Sequence, residues 1–304
     1  MKSFVVAGIL AAGLLVNPAA AEPLKVVASM SVLGDLVQRV GGADVRVTTL
    51  VGPDGDAHVF EPTPTDARTV QSADLLVVNG LGLEPWMQRL AKSTGYTGPF
   101  VTATKGIKPR QAEEGPEEEH AGHGHADHGH GGIDPHAWQS VANAKLYVKN
   151  ISDGLAKADP PHADTYRANA DAYTQELDAL DQQVKAAFAR IPRPERKIIT
   201  SHDAFQYYGA AYGLTLLAPT GLSTESEPSA KAMAGLIRQI RQEKIRAIFV
   251  ENISDPRLIE RIAAESGAKV GGQLYSDALS PPDGPAATYI DMIRHNTTLI
   301  ANAL

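Results

Sequence analysis

The chain has 304 residues, 43% hydrophobic and 21% charged, with a formal net charge of −7 and no cysteine. That length buries a large core, in two domains rather than one. The acidic balance disfavours nucleic acid as a partner, and the missing cysteine excludes disulfides, thiolate metal ligands and a thiol to carry lipid.

The opening residues MKSFVVAGILAAGLLVNPAAA read as a secretory signal: Lys2 is the positive start, Phe4 to Val16 are apolar, and Ala19-Ala20-Ala21 offer a small-residue cleavage site before Glu22. The apolar run is short for a membrane span, so residues 1–21 are expected to be removed, leaving a soluble protein outside the cytoplasm. Leu24 to Ala28 then reads as a strand, followed by a helix with Leu33, Leu36, Val37 and Val40 on one face. Val45 to Leu50 is a second strand. The loop Gly52-Pro53-Asp54-Gly55-Asp56-Ala57-His58 follows, its glycines and proline excluding a regular element. A short helix over Thr65 to Gln71, a strand over Leu75 to Val78, a helix over Glu84 to Leu90 and a short strand from Phe100 complete this half. Short, continuously apolar strands alternating with helices predict a covered parallel sheet, with the polar loops on one edge.

Residues 111–132 break this pattern. Within them His120, His123, His125, His128 and His130 sit among glycines and acids, too polar to form a core and compositionally suited to binding metal. The run ends in Asp134-Pro135-His136-Ala137-Trp138, where a helix is predicted to begin at Trp138 and reach Leu155. Asp159-Pro160-Pro161 breaks it. Tyr166, Ala170, Tyr173, Leu177, Leu180, Val184 and Ala187 then mark a long amphipathic helix of about 35 Å, stopped by Ile191-Pro192-Arg193-Pro194. A second set of strands starts at Lys197, Leu214, Ala247 and Lys269, with helices over Ser229 to Glu243, Pro256 to Ser266 and Tyr289 to Ala303. The organisation expected is a signal at 1–21, an α/β domain at 22–158 carrying the histidine-rich loop, a linking helix at 159–190 and a second α/β domain at 191–304. In fold class this is α/β: two Rossmann-like domains, each a mostly parallel sheet flanked by helices, joined by one long helix.

Four residues stand just past a strand or at a helix entrance: His58, His136, His202 and Asp277. The first two lie in the first half and the last two in the second, so a site using all four sits between the domains. Three imidazoles and a carboxylate suit tetrahedral zinc. Each has a plainer reading. His202 alone is equally a capping or core histidine, and Asp277 alone is better read as a turn or cap residue. His162 and His295 are expected to be ordinary surface groups. Glu61, Asp203 and Glu251 are candidates to brace the ligands. There is no HExxH arrangement, and four protein ligands would close the shell against the water an enzyme needs.

GPDGDAHVFEPTP around His58, DPHAW at His136, TSHDAFQYYG around His202 and LYSDALS around Asp277 together resemble the cluster A-I solute-binding proteins of ABC transporters, the periplasmic zinc- and manganese-binding family, over essentially the whole mature chain. The resemblance implies two α/β domains on a rigid helix, a metal between them held by His58, His136, His202 and Asp277, a periplasmic location and a membrane permease as partner. A periplasmic zinc metallochaperone is a further candidate partner, and a monomer is expected. In that family zinc binders typically have histidine at the third ligand position and manganese binders glutamate, so His202 points to Zn2+. The remaining alternatives are a manganese or iron carrier, and a metal-buffering or adhesion protein without a transporter.

Overall fold

The computed structural model describes residues 22–111, 132–222, 224 and 228–304; the leader and the five loop histidines lie outside the described residues. The first half is a sheet of four parallel strands, β1 (Leu24–Met30), β2 (Val45–Val51), β3 (Leu75–Val78) and β4 (Phe100–Thr102), in the order β2-β1-β3-β4. All four residues of β3 are buried, as a strand covered on both faces requires. The crossovers are α1 (Ser31–Gly41), α2 (Pro64–Gln71) and α3 (Pro85–Ser93). Thr63 caps α2 through a reciprocal bond with Asp66, which is why that helix starts at Pro64.

A two-residue antiparallel ladder, β5 (Arg110–Gln111) with β6 (Ile133–Asp134), has no counterpart among the elements expected from the sequence. Next comes α4 (Val141–Ala158), then α5 (Ala163–Ala189), 27 residues and so about 40 Å long. The expected helix start at Trp138 is displaced: Ala137–Gln139 form a 3-10 turn, and α4 begins at Val141. The reason is that the Trp138 indole and the Gln139 amide both donate to the Ser276 carbonyl, which fixes this turn across the molecule.

The second half repeats the plan with β7 (Lys197–Ile199), α6 (Gln206–Tyr212), β8 (Thr215–Leu217), α7 (Ala230–Glu243), β9 (Ala247–Glu251), α8 (Pro256–Ser266), β10 (Lys269–Leu274) and α9 (Tyr289–Ala303). Its four strands are parallel in the order β10-β9-β7-β8. The expected architecture is therefore present: two α/β halves with parallel sheets, joined by a long helix.

The apolar core is less divided than the chain plan suggests. One continuous cluster runs from Val77 and Trp138 through Tyr147 and Phe188 to Tyr208, Tyr289 and Ile293, crossing both halves. A second, smaller cluster, including Leu236, Ile240, Ile248, Ile259 and Ile262, packs α7 and α8 against the far face of the second sheet. Among the described residues no helix is long and apolar enough to cross a membrane.

Candidate metal centre

Three of the candidate ligands, His58, His202 and Asp277, follow the carboxyl ends of parallel-sheet strands, the crevice where open α/β sheets place ligands, while His136 follows the separate β6 ladder. His58 ends the loop after β2. Asp54 there adopts a left-handed backbone, φ 54°, which aspartate tolerates better than most residues. The His58 amide donates to Asp56 Oδ1 at 2.8 Å, and Asp56 Oδ2 accepts from Thr224 Oγ1 at 2.6 Å, so the loop is held from both halves.

His136 follows β6 and is fully buried. Asp134 Oδ1 takes both its backbone amide, at 2.9 Å, and its ring Nδ1, at 2.8 Å. That bond keeps a proton on Nδ1, and Nε2 faces the centre, where either a proton or a metal ion can take its lone pair. Beneath it, buried Asn79 donates to the Pro135 carbonyl at 2.9 Å and accepts from Tyr147 Oη at 2.5 Å. The buried Glu84 carboxylate accepts from Ser29 Oγ at 2.9 Å and also from the Asn79 amide.

His202 follows β7 and is also buried. Glu251, at the end of β9, accepts its backbone amide at 2.9 Å, and its other oxygen lies 2.5 Å from Nδ1, a charge contact without regular hydrogen-bond geometry, while Nε2 faces Asp277. Asp277 follows β10 and is buried.

The four side chains converge. His58 Nε2 is 3.2 Å from His136 Nε2 and 3.0 Å from Asp277 Oδ2. Asp277 Oδ2 is 3.7 Å from His136 Nε2 and 3.3 Å from His202 Nε2. All four ligand atoms lie within 4.8 Å of one another. A tetrahedron with bonds of about 2.1 Å has edges of about 3.4 Å, so the measured separations are those of a ligand shell. His202 Nε2 and Asp277 Oδ1 are buried without a hydrogen-bond partner among the described residues. Unused lone pairs in a buried cluster of this kind are what a cation would satisfy.

Charge reinforces the geometry. Burial resists charging of His136, but Asp277 and then Asp134 outweigh it and push its pKa up to about 9. Burial likewise opposes charge on His202, yet Glu251 and Asp277 together raise it well above the ordinary histidine value. For Asp277 burial favours the neutral acid, but the His136 and His202 rings hold it well below the usual carboxylate range. The pocket therefore holds an anionic carboxylate that demands a cation, whether protons on the rings or a metal ion.

Of the three acids expected to brace the ligands, only Glu251 touches one. Asp203 instead accepts from Gln206 Nε2 at 2.7 Å, and its carboxyl is raised by burial. Glu61 is exposed. Asp134 is the brace that sequence reasoning misses, although its place two residues before His136 is an available signal. His162 pairs with Asp159 at 2.7 Å and His295 lies 3.0 Å from the Gln273 carbonyl; neither belongs to the cluster.

Known proteins share this plan. Residues 26–303 match the family described as zinc-uptake complex component A, periplasmic. An iron-binding protein of Yersinia pestis is 34% identical over 286 residues, covering 94% of this chain and 88% of its own. A manganese-binding lipoprotein of Halalkalibacterium halodurans is 33% identical over 283 residues, covering 93% and 89%. Among solved structures, the periplasmic zinc-binding protein of Treponema pallidum superposes with a TM-score of 0.81 at 29% identity, covering 92% of this chain and 99% of that one. A manganese-bound mutant of a periplasmic metal-binding protein from Candidatus Liberibacter asiaticus gives 0.80 at 33% identity, with coverage of 92% and 99%.

Proposed function

Because this chain belongs to the zinc-uptake component A family of periplasmic, ABC-transporter solute-binding proteins, we propose that it captures Zn2+ between its two halves and delivers it to a membrane permease. Membership makes it a metal-binding transport protein and not an enzyme. The observation that carries the zinc reading is the donor set: three imidazole nitrogens and one carboxylate oxygen at tetrahedral spacing. Imidazole suits zinc, whereas manganese prefers oxygen donors. In this reading His58, His136, His202 and Asp277 are the ligands, Asp134 and Glu251 fix the ring tautomers, and four protein donors leave no open position for a reacting water.

The rival cargo is manganese or iron, which the names of the relatives from Halalkalibacterium and Yersinia favour. Native mass spectrometry of protein purified without added metal, followed by competition between Zn2+ and Mn2+, separates the two. One bound zinc that resists excess manganese, with affinity falling at least about 100-fold in His202→Ala, is the expected result. Preferential retention of manganese overturns the zinc assignment and leaves the metal-carrier class intact.

The mature protein, in the same reading, is a monomer released by signal cleavage and carries no lipid, since no cysteine exists to accept one. His120, His123, His125, His128 and His130 form an auxiliary low-affinity zinc-collecting segment, loaded from free ion or from a metallochaperone. Deleting residues 115–131 is expected to leave zinc affinity unchanged and to slow loading when zinc is scarce. Loading by the deletion variant at the wild-type rate, from both free and chaperone-bound zinc, excludes that role.

A further inference from the structure

The ligand loops come from distant parts of the chain, and the end of β9 reaches three of them. Glu251 holds His202, as described above. Its neighbour Asn252 uses its whole side-chain amide on the loops of the other half-sites. Asn252 Nδ2 donates to Asp54 Oδ1 at 2.9 Å, on the loop that carries His58. The same nitrogen donates to the Ala278 carbonyl at 3.3 Å, and Oδ1 accepts from the Ser276 amide at 3.3 Å. Ser276 and Ala278 are the two residues flanking Asp277. The Asp54 amide in turn donates to the Leu279 carbonyl at 3.0 Å. A single side chain thus spans the loops of His58 and Asp277, while its backbone neighbour anchors His202.

These bonds link parts that nothing in the local sequence holds together. His58 and Asp277 are separated by 219 positions, yet their donor atoms stand 3.0 Å apart. Ions of tetrahedral zinc size tolerate only small errors in ligand spacing. An amide side chain suits this bridging role, because it offers two donors and an acceptor in one plane without adding charge beside the carboxylates. The Asn252 backbone is itself fixed, its amide donating to the Leu274 carbonyl at 2.9 Å, at the end of β10.

We propose that Asn252 is a positioning residue of the metal centre: it sets the spacing of the His58 and Asp277 loops relative to His202, and so controls how firmly the site holds its ion. The proposal rests on the transport reading given above, and its test separates the two. Asn252→Leu keeps the bulk and removes all three bonds. Asp54→Asn keeps the oxygen that accepts from Asn252 Nδ2 and the left-handed tolerance of position 54, and changes only the charge there.

Zinc release from each loaded protein is followed by transfer to a fluorescent chelator, with affinity measured by competition. Circular dichroism and the melting temperature of the metal-free forms verify that each variant folds. The expected result is zinc binding about 10- to 100-fold weaker in Asn252→Leu, mostly through faster release, with the metal-free melting temperature little changed. Asp54→Asn, which keeps all three bonds of Asn252, is expected to stay within about threefold of wild type. Wild-type affinity in Asn252→Leu, or an Asp54→Asn variant as weak as Asn252→Leu, overturns the positioning role while the transport reading stands. A wild-type chain that binds no zinc overturns both.

Discussion

At the scale of single residues, the site pairs each of the fully buried imidazoles, His136 and His202, with an acid that decides where its proton sits. Asp134→Asn and Glu251→Gln keep the shape but let the amide donate to Nδ1, which drives the proton to Nε2 where the metal must bind. Each is expected to weaken zinc by about 10- to 100-fold without loss of fold, as isothermal titration would show. Protons and metal compete for the same nitrogens. With the His136 pKa at about 9 in the metal-free protein, affinity is expected to rise through pH 6.5 to 8.5, by about tenfold per pH unit for each proton displaced. A flat profile contradicts this. The sign for stability is the reverse. A histidine raised from 6.5 to about 9 stabilises the metal-free fold fully below pH 6.5 and loses that contribution as pH passes through about 9. Thermal unfolding of the metal-free protein across this range is expected to show the decline. The four candidates are legible in the sequence because His58, His202 and Asp277 sit in polar loops after apolar strands and His136 stands at a helix entrance. Their bracing acids are less so: Glu251 stands among three candidates, of which Asp203 bonds Gln206 and Glu61 is exposed, and Asp134 is not among them.

Secondary structure elements place those loops, and their own packing is tight where strand and helix meet. Gly154, in the C-terminal half of α4, has no room for a side chain: a Cβ there would come within 2.1 Å of Val101 Cγ2 on β4. Alanine gains about 1 kcal/mol of helix propensity over glycine, but overpacking against a stiff valine costs about 1–3 kcal/mol. Gly154→Ala is therefore expected to be neutral to destabilising, by up to about 2 kcal/mol in urea unfolding of the metal-free protein. Long elements are readable because periodicity accumulates over many residues. Helices over Pro256–Ser266 and Tyr289–Ala303 start and stop where the pattern says. The β5–β6 ladder is invisible, since two residues per strand carry no period, and its partners are separated by the histidine-rich segment. The displaced start of α4 has the same origin, in that the bonds of Trp138 and Gln139 to Ser276 cross 138 and 137 positions.

In the whole molecule, the sequence marks two α/β halves and a linking helix, but not how far they share a core. Tyr289 Oη donates to the Trp138 carbonyl at 2.7 Å, and its amide to Asp35 Oδ2 at 2.9 Å, so α9 is pinned to the first half although it ends the second. With one apolar cluster running through both, the metal-free protein is expected to melt in a single calorimetric transition. Two separated transitions would show that the halves fold independently. Zinc bound as proposed, by residues of both halves, is expected to raise that transition, by about 2.7 kcal/mol of stability when free metal is 100 times the dissociation constant. The order of the ligands along the chain has a further consequence for how the protein is made. His58 emerges early and Asp277 only 219 positions later, so a nascent or still-translocating polypeptide can offer no more than a fragment of the coordination shell. In the proposed four-ligand shell, tight metal capture must wait for synthesis to run past Asp277 and for the two sheets to meet, so completion of the chain and completion of the site coincide.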